Sequence, residues 1–260
     1  MGGKQGKRKS LKRKKKVQVR PVWVALGLLL LSALILLPHW LHKDSGAKGA
    51  PVPEGYRHFM VDISHHNPRG IAWDSLRVVI GPDGCTTRNL MDAKAILPLS
   101  HVVIKATEGE SLKDRHFDLW WTAAGAAGLS RGAYHFFRSS KDARLQAQSY
   151  ISRVTLTHRD LPPVLDIETV HRGCTREELN RKALEWLRLV QAHYGRTPIV
   201  YTSDSFAREW LSRDILDTYP LWIARYNTAP PQTAGWQYWQ FTDRAVVYGI
   251  GAPVDLSVLL

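Results

Sequence analysis

Residues 162–168 read Pro-Pro-Val-Leu-Asp-Ile-Glu, a short apolar run of strand length broken by two acids. Asp166 and Glu168 are two apart, so on an extended strand both side chains point to one side. Seven further short apolar runs appear from Tyr56 onward: HFMVDIS (58–64), HVVIKAT (101–107), RGAYHFF (131–137), PIVYTS (198–203), PLWIARY (220–226), GWQYWQFT (235–242) and PVDLSVL (253–259). Helical patterns lie between several of them, over 114–128, 141–154, 176–194 and 205–211. The third is the clearest, because Leu179, Ala183, Trp186, Leu187, Val190 and Tyr194 recur at helical spacing and Gly195 supplies a stop. Eight strands with interleaved helices predict an α/β fold, an irregular TIM-barrel-like (β/α) barrel with eight strands and fewer helices. The last three strands leave little room for helices between them, so the irregularity is expected there.

The chain has 260 residues and a formal charge of +13, from 36 Lys and Arg against 23 Asp and Glu. Ten of the cations lie within residues 4–20. The remainder carries 26 cations against 23 anions, a net of +3. Positive charge confined to a tail is not that of a nucleic-acid-binding face, so no nucleic acid is expected as a partner. A hydrophobic content of 44% supports a full core and excludes general disorder.

After the basic tail, residues 21–41 (PVWVALGLLLLSALILLPHWL) contain no Asp, Glu, Lys or Arg. As a helix this stretch would reach roughly 30 Å, enough to cross a bilayer. A cleaved signal peptide shares its basic start and apolar middle. The length of the apolar run, and the distance from Leu37 to small residues suited to cleavage, favour an uncleaved single-pass anchor in the inner (cytoplasmic) membrane. The positive-inside rule keeps the N-terminus cytoplasmic and exports the rest to the periplasm or the exterior. The organisation predicted is a basic cytoplasmic tail (1–20), a transmembrane signal anchor (21–41), a linker rich in Gly, Pro, Ala and Lys (42–55), and one catalytic domain (56–260). Cys85 and Cys174, each in a Gly-rich polar stretch, either form one disulfide in the exported domain or remain separate thiols.

Acids interrupt the strands at particular places. Asp62 follows Phe-Met-Val, Asp166 and Glu168 follow Pro-Pro-Val-Leu, Asp255 follows Pro-Val, and Glu108 lies just past VVIKAT. Strand C-terminal ends form the face of a β/α barrel where active sites are built. A single acid there often caps a helix or pairs with an Arg. A side-by-side pair raises the pKa of at least one member, which gains folding nothing but suits glycoside hydrolysis, where one carboxyl group must stay protonated and another anionic. Aromatic residues add sugar-stacking surfaces, with Tyr134, Tyr201 and Tyr226 singled out to face the cleft. The histidines His65, His66, His101 and His135 offer a metal-hydrolase alternative, but no spaced metal motif occurs and no metal is expected. No G-x-S-x-G is present for serine chemistry.

VDISHHNPRGIAW (61–73), VVIKATEG (102–109), D-x-x-F (114–117) with AGLSRGAYHF (127–136), LPPVLDIE, PIVYTS, PLWIARY, WQYWQFTD and VDLS (254–257) follow the order seen in glycoside hydrolase family 25. The resemblance to these N-acetylmuramidase-type lysozymes spans about residues 57–260. It implies cleavage of the β-1,4 bond between N-acetylmuramic acid and N-acetylglucosamine in peptidoglycan, without metal or organic cofactor. By the same resemblance Glu168 matches the general acid and Asp166 its partner carboxylate. Asp62 and Asp255 match two further acids of the cluster, and Glu108 matches a motif near the cleft. Residues 77–100 depart from the expected compact helix and are expected to reshape one wall of the cleft. The rival reading is a catalytically silent glycan-binding barrel that organises cell-wall machinery at the membrane.

Overall fold

The computed structural model describes Gly2 and residues 49–260. The expected basic tail, anchor and first part of the linker lie outside the described residues. Among the described residues no helix is long and apolar enough to cross a membrane.

The strands are β1 (Phe59–Ile63), β2 (Arg77–Ile80), β3 (Thr86–Thr87), β4 (Ala95–Glu108), β5 (Leu112–Lys113), β6 (Ser130–Phe136), β7 (Val164–Asp166), β8 (Ile199–Ser203), β9 (Leu221–Ala224), β10 (Trp236–Ala245) and β11 (Val254–Leu259). The α-helices are α1 (Phe117–Ala126), α2 (Ala143–Arg153), α3 (Arg176–Tyr194), α4 (Asp204–Trp210) and α5 (Arg213–Leu216). Eight strands close a barrel in the order β1-β4-β6-β7-β8-β9-β10-β11, with β11 returning to β1. All eight expected strands are present. Pairs from β1 through β4 to β10 are parallel, whereas β11 is antiparallel to both β10 and β1. Only residues 246–253 join β10 to β11, too few for a crossover helix, so the chain turns back antiparallel.

Local chemistry sets the helix ends. Asp142 caps α2 by accepting from Leu145 N–H at 2.9 Å, and Thr175 caps α3 by accepting from Glu178 N–H at 3.2 Å. Gly195 ends α3 at φ +63°, a left-handed conformation that a side chain would strain. The buried stripe of α3 is Leu179, Ala183, Trp186, Leu187 and Val190. With Trp120 and Tyr150 it covers the outward residues of the barrel, such as Val61, Ile104, Leu165, Val200 and Ile223. Inward residues form a second, smaller cluster that includes Met60, Val103, Val164, Ile199 and Trp222. The alternation along each strand therefore sorts every second residue between two cores.

Residues 77–100 form strands rather than a helix. β2 pairs with Ala95–Pro98 at the start of β4 and with β3, and Leu76 and Val78 join the outer core. The segment covers the barrel wall as a helix would, and none of its residues lines the cavity described below. The expected linker also ends earlier than Tyr56. Ala50 is buried, Pro51 bridges Cys85, and Ala50 and Thr86 exchange hydrogen bonds, because the edge of β3 offers unpaired backbone groups. Cys85 and Cys174 are not joined by a disulfide. Cys85 precedes β3 and Cys174 precedes α3, with Cys174 Sγ donating to the Thr175 carbonyl at 3.5 Å.

Candidate active site

The inward positions near the C-terminal ends of the parallel strands are polar where those below them are apolar. On β1 Met60 is followed by Asp62, on β7 Val164 by Asp166, and on β8 Ile199 by Tyr201. A pocket at this end is lined by Asp62, Tyr134, Val164, Asp166, Tyr201 and Trp222. Strand register brings the acids together from distant sequence: Asp62 lies opposite Asp255 across β1 and β11, and Asp166 lies between Phe136 and Tyr201. Gly132 faces Val103 and Leu161. A Cβ there would meet Val103 Cγ2 at 3.0 Å, so glycine leaves these two room inside the barrel.

Glu168 stands two residues beyond β7, exposed at the mouth, while Asp166 is 7% exposed. Asp166 Oδ1 has no hydrogen-bond partner among the described residues. Burial raises the pKa of Asp166 well above the carboxylate range, and the charges of Glu168 and Asp62 add to it while Lys105 opposes. Burial, followed by the charge of Asp255, likewise raises Asp62, against a hydrogen bond from Gln240. Asp255 is pushed up to about 7 by burial, Asp243 and Glu168. Glu168 is raised by burial and pulled back by Lys105 and Arg138. Four carboxyl groups in mutual reach, most of them desolvated, cannot all ionise near neutral pH. The mouth thus retains protons shared among these carboxyl groups.

The aromatic candidates fall into place around this cluster. Tyr134 is partly buried, and desolvation followed by the neighbouring Asp166, Asp62 and Asp255 charges pushes its hydroxyl pKa well up. Tyr201 OH and Tyr226 OH both donate to Gln240 Oε1, at 2.9 and 3.0 Å. The Gln240 amide then donates to Asp62 Oδ1 at 2.9 Å. Tyr226 is 54% exposed, so its ring offers an open face at the rim. Trp222 donates its indole N–H to Ser257 Oγ at 3.0 Å inside the barrel.

Glu108 is engaged on both oxygens. Its Oε2 accepts from Lys105 Nζ at 2.6 Å, and its Oε1 accepts from Arg138 Nε at 2.9 Å and from Arg138 Nη2. Burial pushes its pKa up, but these two cations outweigh it and hold the carboxyl below its ordinary value. Glu108 is therefore an ionised anchor for Lys105 and Arg138 on the wall of the cleft.

The histidines are dispersed. His135 is buried outside the barrel wall between Thr107 Oγ1 at 2.8 Å and Gln146 Oε1 at 3.1 Å, and desolvation lowers it to about 4. His65 Nδ1 bonds to Asp114 Oδ2 at 2.7 Å. Among the described residues no group of three or more His, Cys, Asp or Glu is arranged to hold a metal ion.

Sequence reasoning missed Gln240, Lys105 and the part played by Trp222. Two left a signal in the inward alternation, since Lys105 and Gln240 are polar residues at inward positions within otherwise apolar or aromatic runs.

The model of the glycosyl hydrolases family 25 matches residues 61–250. The YegX protein of Escherichia coli K12 is 39% identical over 163 residues, covering 62% of this chain and 59% of that protein. Lysozyme M1 of Streptomyces globisporus is 30% identical over 174 residues, covering 60% of this chain and 58% of that enzyme. The chain thus spans under two thirds of the length of these relatives. Among solved structures, a family 25 glycosyl hydrolase from Bacillus anthracis superposes with a TM-score of 0.66 at 25% identity, covering 83% of this chain and 94% of that one. The match of the family model across most of the barrel means that the chain belongs to the glycosyl hydrolases family 25.

Proposed function

We propose that this protein is a peptidoglycan hydrolase of the lysozyme type, an N-acetylmuramidase that cleaves the β-1,4 bond between N-acetylmuramic acid and N-acetylglucosamine. The observation that carries this reading is the convergence of Asp62, Asp166, Glu168 and Asp255 on one aromatic-lined barrel mouth, where burial and mutual repulsion retain protons. Glu168, the exposed member, donates its proton to the glycosidic oxygen as the bond from that oxygen to the sugar C1 breaks, and water then adds at C1 and returns a proton to Glu168. Asp166, one oxygen unpartnered, receives a donor from the substrate and, once ionised, stabilises positive charge developing at the sugar. Asp62 and Asp255 raise the proton affinity of their neighbours, and Tyr201 and Tyr226 border the sugar. A catalytically silent glycan binder would have no use for four clashing carboxyl groups.

The same proposal extends to location. Residues 21–41 anchor the chain in the cytoplasmic membrane with its basic tail inside, and the barrel acts on wall material within reach of the membrane surface. The length and composition of that stretch support this reading.

The test is release of reducing ends from purified peptidoglycan by the full-length chain in detergent micelles, beside its Glu168→Gln variant, with mass analysis of the fragments. Fragments ending in reducing N-acetylmuramic acid, made only by the parent, are the expected result. Binding without release by both proteins would replace the enzyme with the glycan-binding barrel.

A further inference from the structure

The wall made by β4 and β6 carries charge of the opposite sign to the rest of the mouth. Lys105 points inward from β4, and Arg138 lies two residues past β6. Register sets Glu108 beside Phe136 and Phe136 beside Asp166, so this wall adjoins the proton-donating strand. Lys105 Nζ and Arg138 Cζ lie 5.0 and 4.6 Å from the Phe136 ring centroid. Both cations share one carboxylate, Glu108, which leaves the group with one net positive charge.

Donors also remain in surplus. A guanidinium has five N–H groups and an ammonium three. Glu108 takes bonds from Arg138 Nε and Nη2 and one from Lys105, and Arg138 Nη1 has no partner among the described residues. The Arg138 side chain is 45% exposed, while Glu108 is 16% exposed and holds it in place. A planar, half-exposed guanidinium fixed on one edge and open on the other is suited to a second carboxylate.

We propose that Arg138, supported by Lys105, Glu108 and Phe136, forms a carboxylate-binding subsite beside the catalytic acids. Its ligand is an acidic group borne on the 3-O-lactyl arm of the muramic residue, either the lactyl acid of a peptide-free strand or an acidic residue of the attached peptide. This rests on the muramidase reading and deepens it by naming what distinguishes a muramic residue from a plain N-acetylglucosamine. Opposite charge across the mouth then orients the strand, with the acidic arm toward β4 and β6 and the sugar ring against Tyr201 and Tyr226. An anion at Arg138 also cancels part of the field that pulls Glu168 toward ionisation, so a correctly seated substrate helps the acid keep its proton.

The experiment measures affinity by calorimetry in the full-length Glu168→Gln chain, with and without Arg138→Gln. Three probes are used: a peptide-bearing muramyl tetrasaccharide, the same tetrasaccharide freed of peptide, and the N-acetylglucosamine tetramer. Relative to the neutral tetramer, Arg138→Gln is expected to weaken a carboxylate-bearing probe about tenfold, the order of one charge-assisted hydrogen bond. Arg138→Lys, which keeps the charge, is expected to restore much of that preference. Loss confined to the peptide-bearing probe assigns the ligand to the peptide, and loss confined to the peptide-free probe assigns it to the lactyl acid. Equal weakening of all three probes, or none, overturns the subsite. If the chain with Glu168 intact still releases muramic reducing ends, the muramidase reading survives that failure; if no probe binds and no ends appear, both fall.

Discussion

The side-chain amide of Gln240 donates to Asp62 Oδ1 at 2.9 Å, joining residues 178 positions apart across the barrel. Its other end accepts from the hydroxyls of Tyr201 and Tyr226, and these two donors fix which way the amide faces. Gln240 is 1% exposed, so its contribution cannot be replaced by water without opening the barrel. It is a positioning residue, acting on the cluster through Asp62. Gln240→Leu removes the one side-chain donor among the described residues that lowers the pKa of Asp62. The pH–rate limb governed by the carboxyl cluster should move to higher pH, and kcat/KM should fall about tenfold. Tyr226→Phe should give a smaller loss, because Tyr201 still orients the amide. An unchanged pH profile in Gln240→Leu would remove Gln240 from the site.

Glu168→Gln should lower kcat by a factor on the order of 10³ while leaving the melting temperature near the parent value. The side chain is exposed, and among the described residues no hydrogen bond or ion pair uses it. Calorimetric melting beside the reducing-end assay separates the two effects.

Asp255 connects the site to stability. Its pKa rises from an ordinary 3.8 to about 7 in the folded chain, chiefly through burial and then through Asp243 and Glu168. The folded state therefore holds this proton more tightly than the unfolded one, and the advantage is lost as pH rises from about 4 through 7. Asp255→Asn should melt at a higher temperature than the parent at pH 8 and at nearly the same temperature at pH 4. Coincident curves at both values would contradict a buried, repelled carboxylate.

Glu108 has the opposite sign. Its depressed pKa contributes stability above its ordinary value of 4.5, which is lost as pH falls through the folded value. Glu108→Gln strips the carboxylate from Lys105, whose side chain is 7% exposed, and should cost about 2 kcal/mol at pH 7 by denaturant unfolding. The difference from the parent should narrow as pH falls through the lowered folded value, where the parent loses the same interaction.

Trp186 tests the outer core. It is fully buried on α3 and stacks on His135 with ring centroids 5.4 Å apart. Trp186→Ala should cost roughly 3–5 kcal/mol, read as a lower denaturant midpoint.

The strands, the long amphipathic helix and the acids at the mouth were legible in the sequence because each is a local pattern. Alternation of apolar and polar residues declares a strand, a 3.6-residue stripe declares α3, and an acid at the end of an apolar run marks a strand terminus at the mouth. The four carboxyl groups and Tyr134, Tyr201 and Tyr226 could be chosen on those grounds and on the family resemblance. Residues 77–100 were harder to read, since Val78 and Val79 pack on the wall as part of a short β-hairpin whose pairing with β4 is not encoded in either segment alone. The pairing of residues 50–52 with the edge of β3 had no local signal at all.

What the sequence by itself determined is the set of elements, the direction in which each side chain leaves its strand, and the identity of the acids. Only the tertiary structure decided that Asp62 would face Asp255, that Gln240 would tie two tyrosines to Asp62, and that Glu108 would be spent holding Lys105 and Arg138. The reason is physical. Spacing and hydrophobic period act over a few residues, whereas pKa, ion pairing and hydrogen bonding depend on distance and desolvation, and these exist only once strands far apart in the chain have closed the barrel.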